Sequence, residues 1–185
     1  SSSSSSLLAQ GTHELSRLLQ ELQRALTAVH LPAPIDPDTF VRVGAPTGTA
    51  AFNMRFNATT IHRLIHWFRP PYFKELSATD DRLHALQKHL ASTWLLILDE
   101  ISMVGRQMMG RIDARMQQAK PDSNPFCKSL GNLSCVSGGD VAQIPAIFDQ
   151  QIYDESSHKG GDDKDNARHL SNTGLSIYRE FKDVI

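Results

Sequence analysis

The 185-residue sequence predicts an α/β fold in which helices flank a parallel, doubly wound sheet, and three observations support it. Trp94 to Leu98 is a continuous apolar run of strand length, which is typical of a strand buried on both faces of a parallel sheet. Strand-like runs alternate along the chain with segments of helical spacing. The length suits one compact domain with a hydrophobic core and is too short for two large ones.

The elements follow a lead-in at residues 1–12, which opens with six serines and is expected to be flexible. Residues 13–185 are predicted to form one domain, with an exposed loop over the polar residues 155–170. The hydrophobic spacing predicts helices at residues 13–29, 50–56, 60–68, 82–90, 104–118 and 173–184. Strands are predicted at residues 40–45, 94–98 and 133–137.

The composition excludes several classes of protein. A net charge of −1 identifies no polyanionic partner, and 40% hydrophobic with 21% charged residues is typical of globular proteins. The two cysteines, Cys127 and Cys135, form no CxxC pattern, which argues against a disulfide scaffold or a zinc ribbon and favours a reducing compartment. The longest apolar run is far too short to span a membrane, and the N-terminal serines resemble no signal peptide. We therefore expect neither a membrane protein nor a secreted one.

Two carboxylates, Asp99 and Glu100, come directly after the predicted buried strand. Ligands of open parallel sheets gather at the carboxyl ends of the strands, so chemistry is expected here. Asp99 would hold a magnesium ion, and Glu100 would orient and deprotonate a water molecule aimed at a phosphoryl group. The alternative is that both acids merely begin a helix, where its dipole favours them. Because Ser102, Met103 and Val104 extend the pattern to DEISMV, we favour the functional interpretation.

A second polar motif, GDVAQIP, follows the third predicted strand and contains Gly139, Asp140, Gln143 and Pro145. A glutamine at the end of a strand can contact the terminal phosphate of a nucleotide and convert hydrolysis into movement. The alternative is an ordinary Gly–Asp turn followed by a proline. The place of the motif after the acidic strand favours the nucleotide interpretation.

The stretch from Thr39 to Lys74 contains no acidic residue and is rich in cationic and aromatic side chains. Cations that follow phosphates and aromatic rings that stack on bases are typical of a surface that binds single-stranded nucleic acid. The residues predicted to contact nucleic acid are Thr47, Gly48, Thr60 and His62.

Other side chains of the same stretch favour a structural interpretation. Phe52, Phe56 and Phe68 are predicted to lie in the hydrophobic core. His62 and His66 are one helical turn apart, but no third ligand is evident, so a zinc site is not expected there.

Four segments occur in the order seen in one protein family: APTGTAAFNM at 45–54, TTIHRLI at 59–65, LLILDEISMV at 95–104 and GDVAQIPAI at 139–147. On these motifs the chain resembles the Pif-type helicases of superfamily one, a group that includes the helicase part of Helitron transposases. The resemblance extends to GLSIYREFKDVI at 174–185, which is similar to the end of the family's first motor domain. It implies a RecA-like P-loop NTPase domain, incomplete at its N-terminus.

The resemblance also implies roles for individual residues. Asp99 matches the family's magnesium-binding acid, Glu100 its water-activating base, and Asp140 with Gln143 the motif that couples the terminal phosphate to DNA movement. The implied cofactors are Mg²⁺ and ATP as co-substrate, and the implied partners are single-stranded, duplex and forked DNA. The implied DNA contacts are Pro46, Thr47, Gly48, Thr60, His62 and Arg63.

The sequence departs from the family at the phosphate loop, because GxxxxGK[ST] does not occur in it. The nearest candidate for nucleotide contact is Gly11 with Thr12, although His13 and Glu14 stand where Gly–Lys is expected. We also expect the family's second motor domain, which supplies an arginine finger, to be absent. These departures predict that this chain alone has negligible ATPase activity and does not unwind DNA.

The resemblance thus predicts an ATP-dependent DNA helicase that moves 5'-to-3' along single strands and acts in DNA repair, recombination, telomere maintenance or transposition. One alternative is a degenerate remnant that binds single-stranded DNA without hydrolysing ATP. A phosphate-loop ATPase or kinase unrelated to DNA ranks third. The family resemblance implies a nuclear location, or a mitochondrial one.

Overall fold

The computed structural model describes residues 37–54, 56–68, 73–120, 129–140, 144–157 and 166–181, together with Arg17 and Glu21. The predicted lead-in and most of the predicted first helix lie outside these residues. Within that helix, Arg17 and Glu21 are both helical and exposed, and their side chains form an ion pair at 3.2 Å.

A four-stranded sheet forms the centre of the fold. Its strands are β1 (Val41–Ala45), β2 (Thr59–Thr60), β3 (Leu95–Leu98) and β4 (Ser134–Ser137). They pair in the order β2-β1-β3-β4, and every pairing is parallel. In the register, Gly44 lies opposite Leu98, and Leu98 lies opposite Ser137, so the strands end level with one another. The predicted α/β fold with a parallel sheet is confirmed.

The helices lie on both sides of this sheet and are numbered here in their order along the chain. They are α1 (Pro37–Phe40), α2 (Gly48–Met54), α3 (Ile61–Leu64), α4 (Asp81–Leu90), α5 (Arg106–Ala119) and α6 (Ala167–Glu180). Short 3-10 turns occupy Ile101–Met103 and Leu130–Asn132. The predicted helices at 50–56, 82–90 and 104–118 correspond to α2, α4 and α5.

Two helices differ from the prediction in length. α3 ends at Leu64, and not at Phe68, because His66 adopts a left-handed backbone (φ 50°) that turns the buried Trp67 into the core. α6 begins at Ala167, within the stretch predicted as exposed loop, and not at Thr173. Its first turn is mostly polar and exposed, with a single buried side chain, Leu170, so the hydrophobic period is weak there.

The core lies between the sheet and helices α4, α5 and α6, and β3 runs through its centre. Leu96, Ile97 and Leu98 are all buried, so this part of the predicted strand is covered on both faces. The prediction is wrong for Trp94, which precedes β3 and is 67% exposed. The prediction that Phe52 and Phe68 belong to the core is wrong, since these side chains are 84% and 59% exposed. In the short helix α2, the alanines and Met54 face inward and leave Phe52 outside.

Helices α5 and α6 cross in close contact, with a glycine from each helix at the crossing. A Cβ on Gly110 would overlap the carbonyl oxygen of Leu170, and a Cβ on Gly174 would overlap that of Arg106. Glycine is needed at both positions because backbone meets backbone. Among the described helices, none is long and apolar enough to cross a membrane.

Candidate functional site

The carboxyl ends of all four strands meet at one edge of the sheet, and each is followed by residues that the sequence predicted to be functional. Pro46 and Thr47 follow β1, Asp99 and Glu100 follow β3, and the Gly138–Asp140 segment follows β4. Thr60 is itself the last residue of β2 and pairs with Ala45. Parallel pairing therefore brings four separate sequence motifs to one edge, where α/β sheets bind their ligands.

Asp99 is the buried member of the acidic pair. Its backbone N–H donates to the carbonyl of Gly44 at 2.9 Å, which continues the pairing of β3 with β1 and fixes the carboxylate at the end of the sheet. The side chain is only 9% exposed. This burial raises the pKa of Asp99, and the backbone N–H of Glu100 offsets the rise only in part.

Glu100 is half-buried and has an unusual backbone. Its φ and ψ are 51° and 52°, the left-handed region that non-glycine residues rarely adopt and that costs roughly 1–2 kcal/mol. Burial raises the pKa of Glu100, and repulsion from the neighbouring Asp99 raises it further. Backbone strain and a raised carboxylate pKa at one residue are typical of functional sites.

The segment after β4 packs directly on the acidic pair. The N–H of Gly138 donates to the carbonyl of Leu98 at 2.8 Å, and the N–H of Ile101 donates to the carbonyl of Gly138 at 2.9 Å. Gly139 has a φ of 136°, and a Cβ there would lie 2.8 Å from the nitrogen of Ile101 and 3.0 Å from the Cα of Glu100. The glycine of the GD motif is therefore required by this close approach.

The remaining residues of the predicted nucleotide set are only partly described. Asp140 is exposed and follows Gly139 at the same edge of the sheet. Gln143, Gly11 and Thr12 lie outside the described residues. Their predicted contacts with a nucleotide remain predictions.

The predicted DNA contacts after β1 form the start of helix α2. The hydroxyl of Thr47 accepts a hydrogen bond from the N–H of Ala50 at 3.1 Å and caps the helix. Gly48 is exposed, and a Cβ there would meet no atom within 4 Å. The described residues around Gly48 therefore leave room for a larger side chain at this position.

The second group of predicted DNA contacts surrounds the start of α3. Thr60 precedes the helix but makes no capping hydrogen bond through its side chain, and Arg63 is exposed. His62 is half-buried and stacks on Trp67, with ring centroids 4.9 Å apart. Burial lowers the pKa of His62, and the charge of Arg111 lowers it further.

The same stack reveals two residues that the sequence did not single out for function. The guanidinium of Arg111, on α5, lies 4.7 Å from the ring centroid of Trp67. One turn later, Arg115 lies equally close to the ring of Phe73, which contacts Trp67 edge-on. The helix that follows the acidic pair thus packs against the element that carries His62. The spacing of Arg111 and Arg115 on one helical face was the only signal in the sequence.

The acidic pair is suited to a magnesium ion that keeps water or phosphate oxygens among its ligands. Within the described residues, no group of three or more His, Cys, Asp and Glu side chains could hold a metal ion alone. Magnesium commonly binds through one or two carboxylates together with a substrate phosphate. Asp99 fits this requirement because it is buried at a ligand-binding edge, and no cation among the described residues forms an ion pair with it.

Comparisons with known proteins find a family model and relatives similar to this chain. A family model described as an AAA domain matches residues 11–122. The ATP-dependent DNA helicase Pif1 of Psychrobacter sp. (strain PRwf-1) is 31% identical over 111 residues, which are 58% of this chain and 16% of that protein.

Two solved structures share the fold. A Bacteroides Pif1 bound to single-stranded DNA superposes with a TM-score of 0.53 at 21% identity, covering 94% of this chain and 31% of the other. A Pif1 from a study of unwinding at forked DNA by two coordinating Pif1 helicases gives 0.52 at 25% identity, covering 74% and 29%. The chain therefore spans less than a third of the length of each relative.

The RecA-like P-loop NTPase fold and the resemblance to Pif-type helicases are confirmed. The family model matches more than half of the chain, which shows that the chain belongs to the AAA domain family.

Proposed function

We propose that this chain is part of an ATP-dependent DNA helicase, which moves 5'-to-3' along single-stranded DNA and separates duplexes by hydrolysing ATP. One observation carries the proposal: the acidic pair after β3 shares the carboxyl edge of the sheet with the predicted DNA contacts after β1 and β2. In such an arrangement, a nucleotide and a DNA strand would lie close enough for the fold to couple them.

The acidic pair supplies the chemistry of the proposed reaction. Asp99 would hold Mg²⁺, which when bound would neutralise charge on the phosphates of ATP. Glu100 would accept the proton of the attacking water, and its raised pKa suits a general base working near neutral pH. Glu100 has a left-handed backbone, and Gly139 packs closely against its Cα.

The basic stretch supplies the proposed DNA contacts. Thr47 and Gly48 would present the start of α2 to a phosphate, where backbone N–H groups and the helix dipole favour an anion. Arg63 is exposed and can contact a second phosphate, while the hydroxyl of Thr60 can donate to the same strand. The support from relatives is that the Psychrobacter protein is named an ATP-dependent DNA helicase and that the Bacteroides Pif1 was solved with single-stranded DNA.

The activity of the whole helicase extends beyond these residues, because the chain covers only 16% of the Psychrobacter protein. We therefore propose negligible ATPase activity and no unwinding for the isolated chain. Roles in DNA repair, recombination, telomere maintenance or transposition, and a nuclear or mitochondrial location, are proposed for the helicase to which it would belong. Sustained hydrolysis by the purified chain, abolished by Glu100→Gln, would contradict the proposal of an inactive fragment.

The decisive experiment measures binding of a fluorescent oligo-dT to the purified chain by anisotropy over a range of salt concentrations. We expect binding that weakens as salt increases, and a change in affinity when Mg²⁺ and a non-hydrolysable ATP analogue are added. Arg63→Ala should weaken binding and reduce the slope of log affinity against log salt by about 1. The matched control is Arg82→Ala, an exposed arginine on α4 that pairs with Asp80 and should leave binding unchanged.

A second candidate function is a remnant that binds single-stranded DNA without using ATP. The absence of GxxxxGK[ST] from the sequence favours it. In that case the oligonucleotide binds with the same salt dependence, but neither the ATP analogue nor Asp99→Asn changes its affinity. If the oligonucleotide does not bind even at low salt, both candidates are overturned.

A further inference from the structure

Helix α5, which begins a few residues after Glu100, receives its N-terminal cap from a distant part of the chain. Gly105 precedes the helix and offers no side chain to cap it. Instead, the carboxylate of Asp149 accepts hydrogen bonds from the N–H groups of Gln107 and Met108 at 3.2 and 3.0 Å. The first turn of α5 contains no acidic residue of its own. Asp149 therefore supplies both the acceptor and the negative charge that a helix start favours.

The residues after Asp149 are bound to the same turn. The carbonyl of Gln150 accepts from the N–H of Arg106 at 2.9 Å, and Gln151 forms an antiparallel bridge with Gly105. Ile152 is fully buried in the core. The segment is thus fixed on α5 by backbone bonds, by a carboxylate and by an apolar anchor.

The segment that joins β3 to α5, from Glu100 to Met108, is also bound at its N-terminal end. The N–H of Ile101 donates to the carbonyl of Gly138, and Gly139 packs against Glu100. The segment from Glu100 to Met108 is therefore bound at its start by Gly138 and Gly139 and at its end by Asp149. A left-handed glutamate persists only where its surroundings fix the backbone on both sides.

We propose that Asp149 is a positioning residue for Glu100, because it clamps the far end of the connection that holds this glutamate in its left-handed conformation. The proposal rests on the proposed function, in which Glu100 acts on a nucleotide. Asp149 itself touches neither the nucleotide nor the reacting atoms. Its effect is transmitted through the backbone from Gln107 to Glu100.

The competing explanation is that Asp149 only caps a helix and so adds stability. The two explanations can be separated by moving the cap to Gly105, the ordinary N-cap position. In the double variant Asp149→Gly/Gly105→Ser, a serine hydroxyl caps α5 locally, while the carboxylate contact between residue 149 and the helix is removed and the backbone bonds of Gln150 and Gln151 remain. Both changes are needed, because the three atoms nearest to a Cβ at position 105 all belong to the side chain of Asp149.

The experiment compares the 185-residue chain, Asp149→Gly, the double variant and a matched control. The control is Asp154→Asn, which changes the same charge in the same segment, where the carboxylate accepts from the N–H of Ser156 at 2.9 Å. Three quantities are measured: the midpoint of thermal unfolding, amide hydrogen exchange in residues 101–108 and 150–157, and affinity for Mg·ADP with and without aluminium fluoride. Aluminium fluoride completes a mimic of the transferring phosphoryl group, which only a well-placed Glu100 and water would recognise.

We expect the double variant to recover the unfolding midpoint that Asp149→Gly loses. Amide exchange in residues 101–108 and 150–157 should nevertheless be about tenfold faster than in the parent chain, as the loss of one cap interaction predicts. Affinity for the aluminium fluoride complex should fall about tenfold, while affinity for Mg·ADP alone changes by less than about twofold. Asp154→Asn should match the parent chain in all three measurements.

The proposal is overturned if the double variant matches the parent chain in both amide exchange and affinity for the aluminium fluoride complex, because a local cap then suffices. If the parent chain binds no nucleotide at all, the proposed function fails. Amide exchange alone then decides whether Asp149 fixes the segment that carries Glu100. Faster exchange in residues 101–108 of the double variant then supports the clamp, and unchanged exchange overturns it.

Discussion

Two regions of this molecule contain buried charged groups, and the two groups differ in the number of their hydrogen-bond partners. At the crossing of α5 and α6, Arg106 is 1% exposed, and its guanidinium donates to the carbonyls of Ser171, Asp154 and Ser156 and to the side chain of Asn172. At the carboxyl edge of the sheet, Asp99 is 9% exposed, and among the described residues a backbone N–H, that of Glu100, is the one group that favours its charged form.

The difference distinguishes a structural charge from a functional one. A buried charge with several hydrogen-bond partners stabilises a packed arrangement, because removing it takes a donor from each facing oxygen. A buried charge with few partners reduces stability, and it is retained where a ligand supplies the missing interactions. Substitutions in the first region should therefore be costly, and substitutions in the second should be neutral or stabilising.

The largest expected effect is that of Gly174→Ala in α6. The new methyl group would overlap the carbonyl oxygen of Arg106, and because both atoms belong to helix backbones, only a shift of α6 against α5 can relieve the overlap. We expect a loss of about 3 kcal/mol in the free energy of unfolding, measured by urea denaturation. Gly48→Ala is the matched control, since a Cβ there meets no atom within 4 Å and stability should change by less than about 1 kcal/mol.

Arg106→Met should have the next largest effect, about 2 kcal/mol of lost stability. Methionine preserves most of the packing but removes the guanidinium's hydrogen bonds to three carbonyl oxygens, of which that of Ser156 keeps a bond from the side chain of Gln150 at 3.2 Å. The removal of a buried charge offsets only part of this cost. Arg179→Met serves as control, because Arg179 is exposed and forms only a surface ion pair with Glu155. Equal losses in the two variants would contradict the view that the buried network stabilises the crossing.

The sequence could predict those parts of the fold and site that depend on neighbouring residues. The apolar run before Asp99 identified β3, and with it the edge at which the acidic pair lies. The helical spacing from Met108 to Met116 identified α5. These predictions succeeded because burial of a strand on both faces, or of one helix face, leaves a local hydrophobic pattern.

Other features depend on contacts between distant residues and leave no such pattern. Asp149 caps a helix that begins more than forty residues earlier, so no capping motif adjoins it. The aromatic content around Phe52 suggested a core, but which side of the short helix α2 is covered depends on tertiary packing. The left-handed backbone of Glu100 is equally invisible in the sequence, because Gly139, which packs against it, is distant from it along the chain.

At the carboxyl edge of the sheet, Asp99→Asn should increase the free energy of unfolding at neutral pH by on the order of 1 kcal/mol. Burial raises the pKa of Asp99 in the folded state, so the folded form gains stability when the group is protonated and loses it as pH rises through the folded pKa. The advantage of asparagine should therefore be present at pH 7, decrease as pH falls towards the ordinary pKa of aspartic acid, about 4, and disappear near about pH 3, where the group is mostly neutral in both states.

Unfolding free energies of the parent chain and Asp99→Asn at pH 7 and at about pH 3 test this expectation. Glu155→Gln removes an exposed carboxylate and should give no comparable pH-dependent gain. If Asp99→Asn is destabilising at pH 7, a cation or hydrogen-bond donor already satisfies the carboxylate. The contrast with Arg106 would then be lost.

The smallest expected effect, Glu100→Gly, tests whether the edge of the sheet stores backbone strain. Relief of the left-handed conformation is worth roughly 1–2 kcal/mol, and the greater freedom of glycine in the unfolded chain removes about 0.4–1 kcal/mol, which leaves a net gain of about 0.5 kcal/mol. Asn57→Gly is the matched control, because Asn57 is exposed and also left-handed (φ 54°), but asparagine tolerates this conformation. Its gain should be close to zero in the same urea titrations. Equal gains in the two variants would show that Glu100 stores no special strain, and a loss in Glu100→Gly alone would show that its side chain stabilises the fold, as that of Arg106 does.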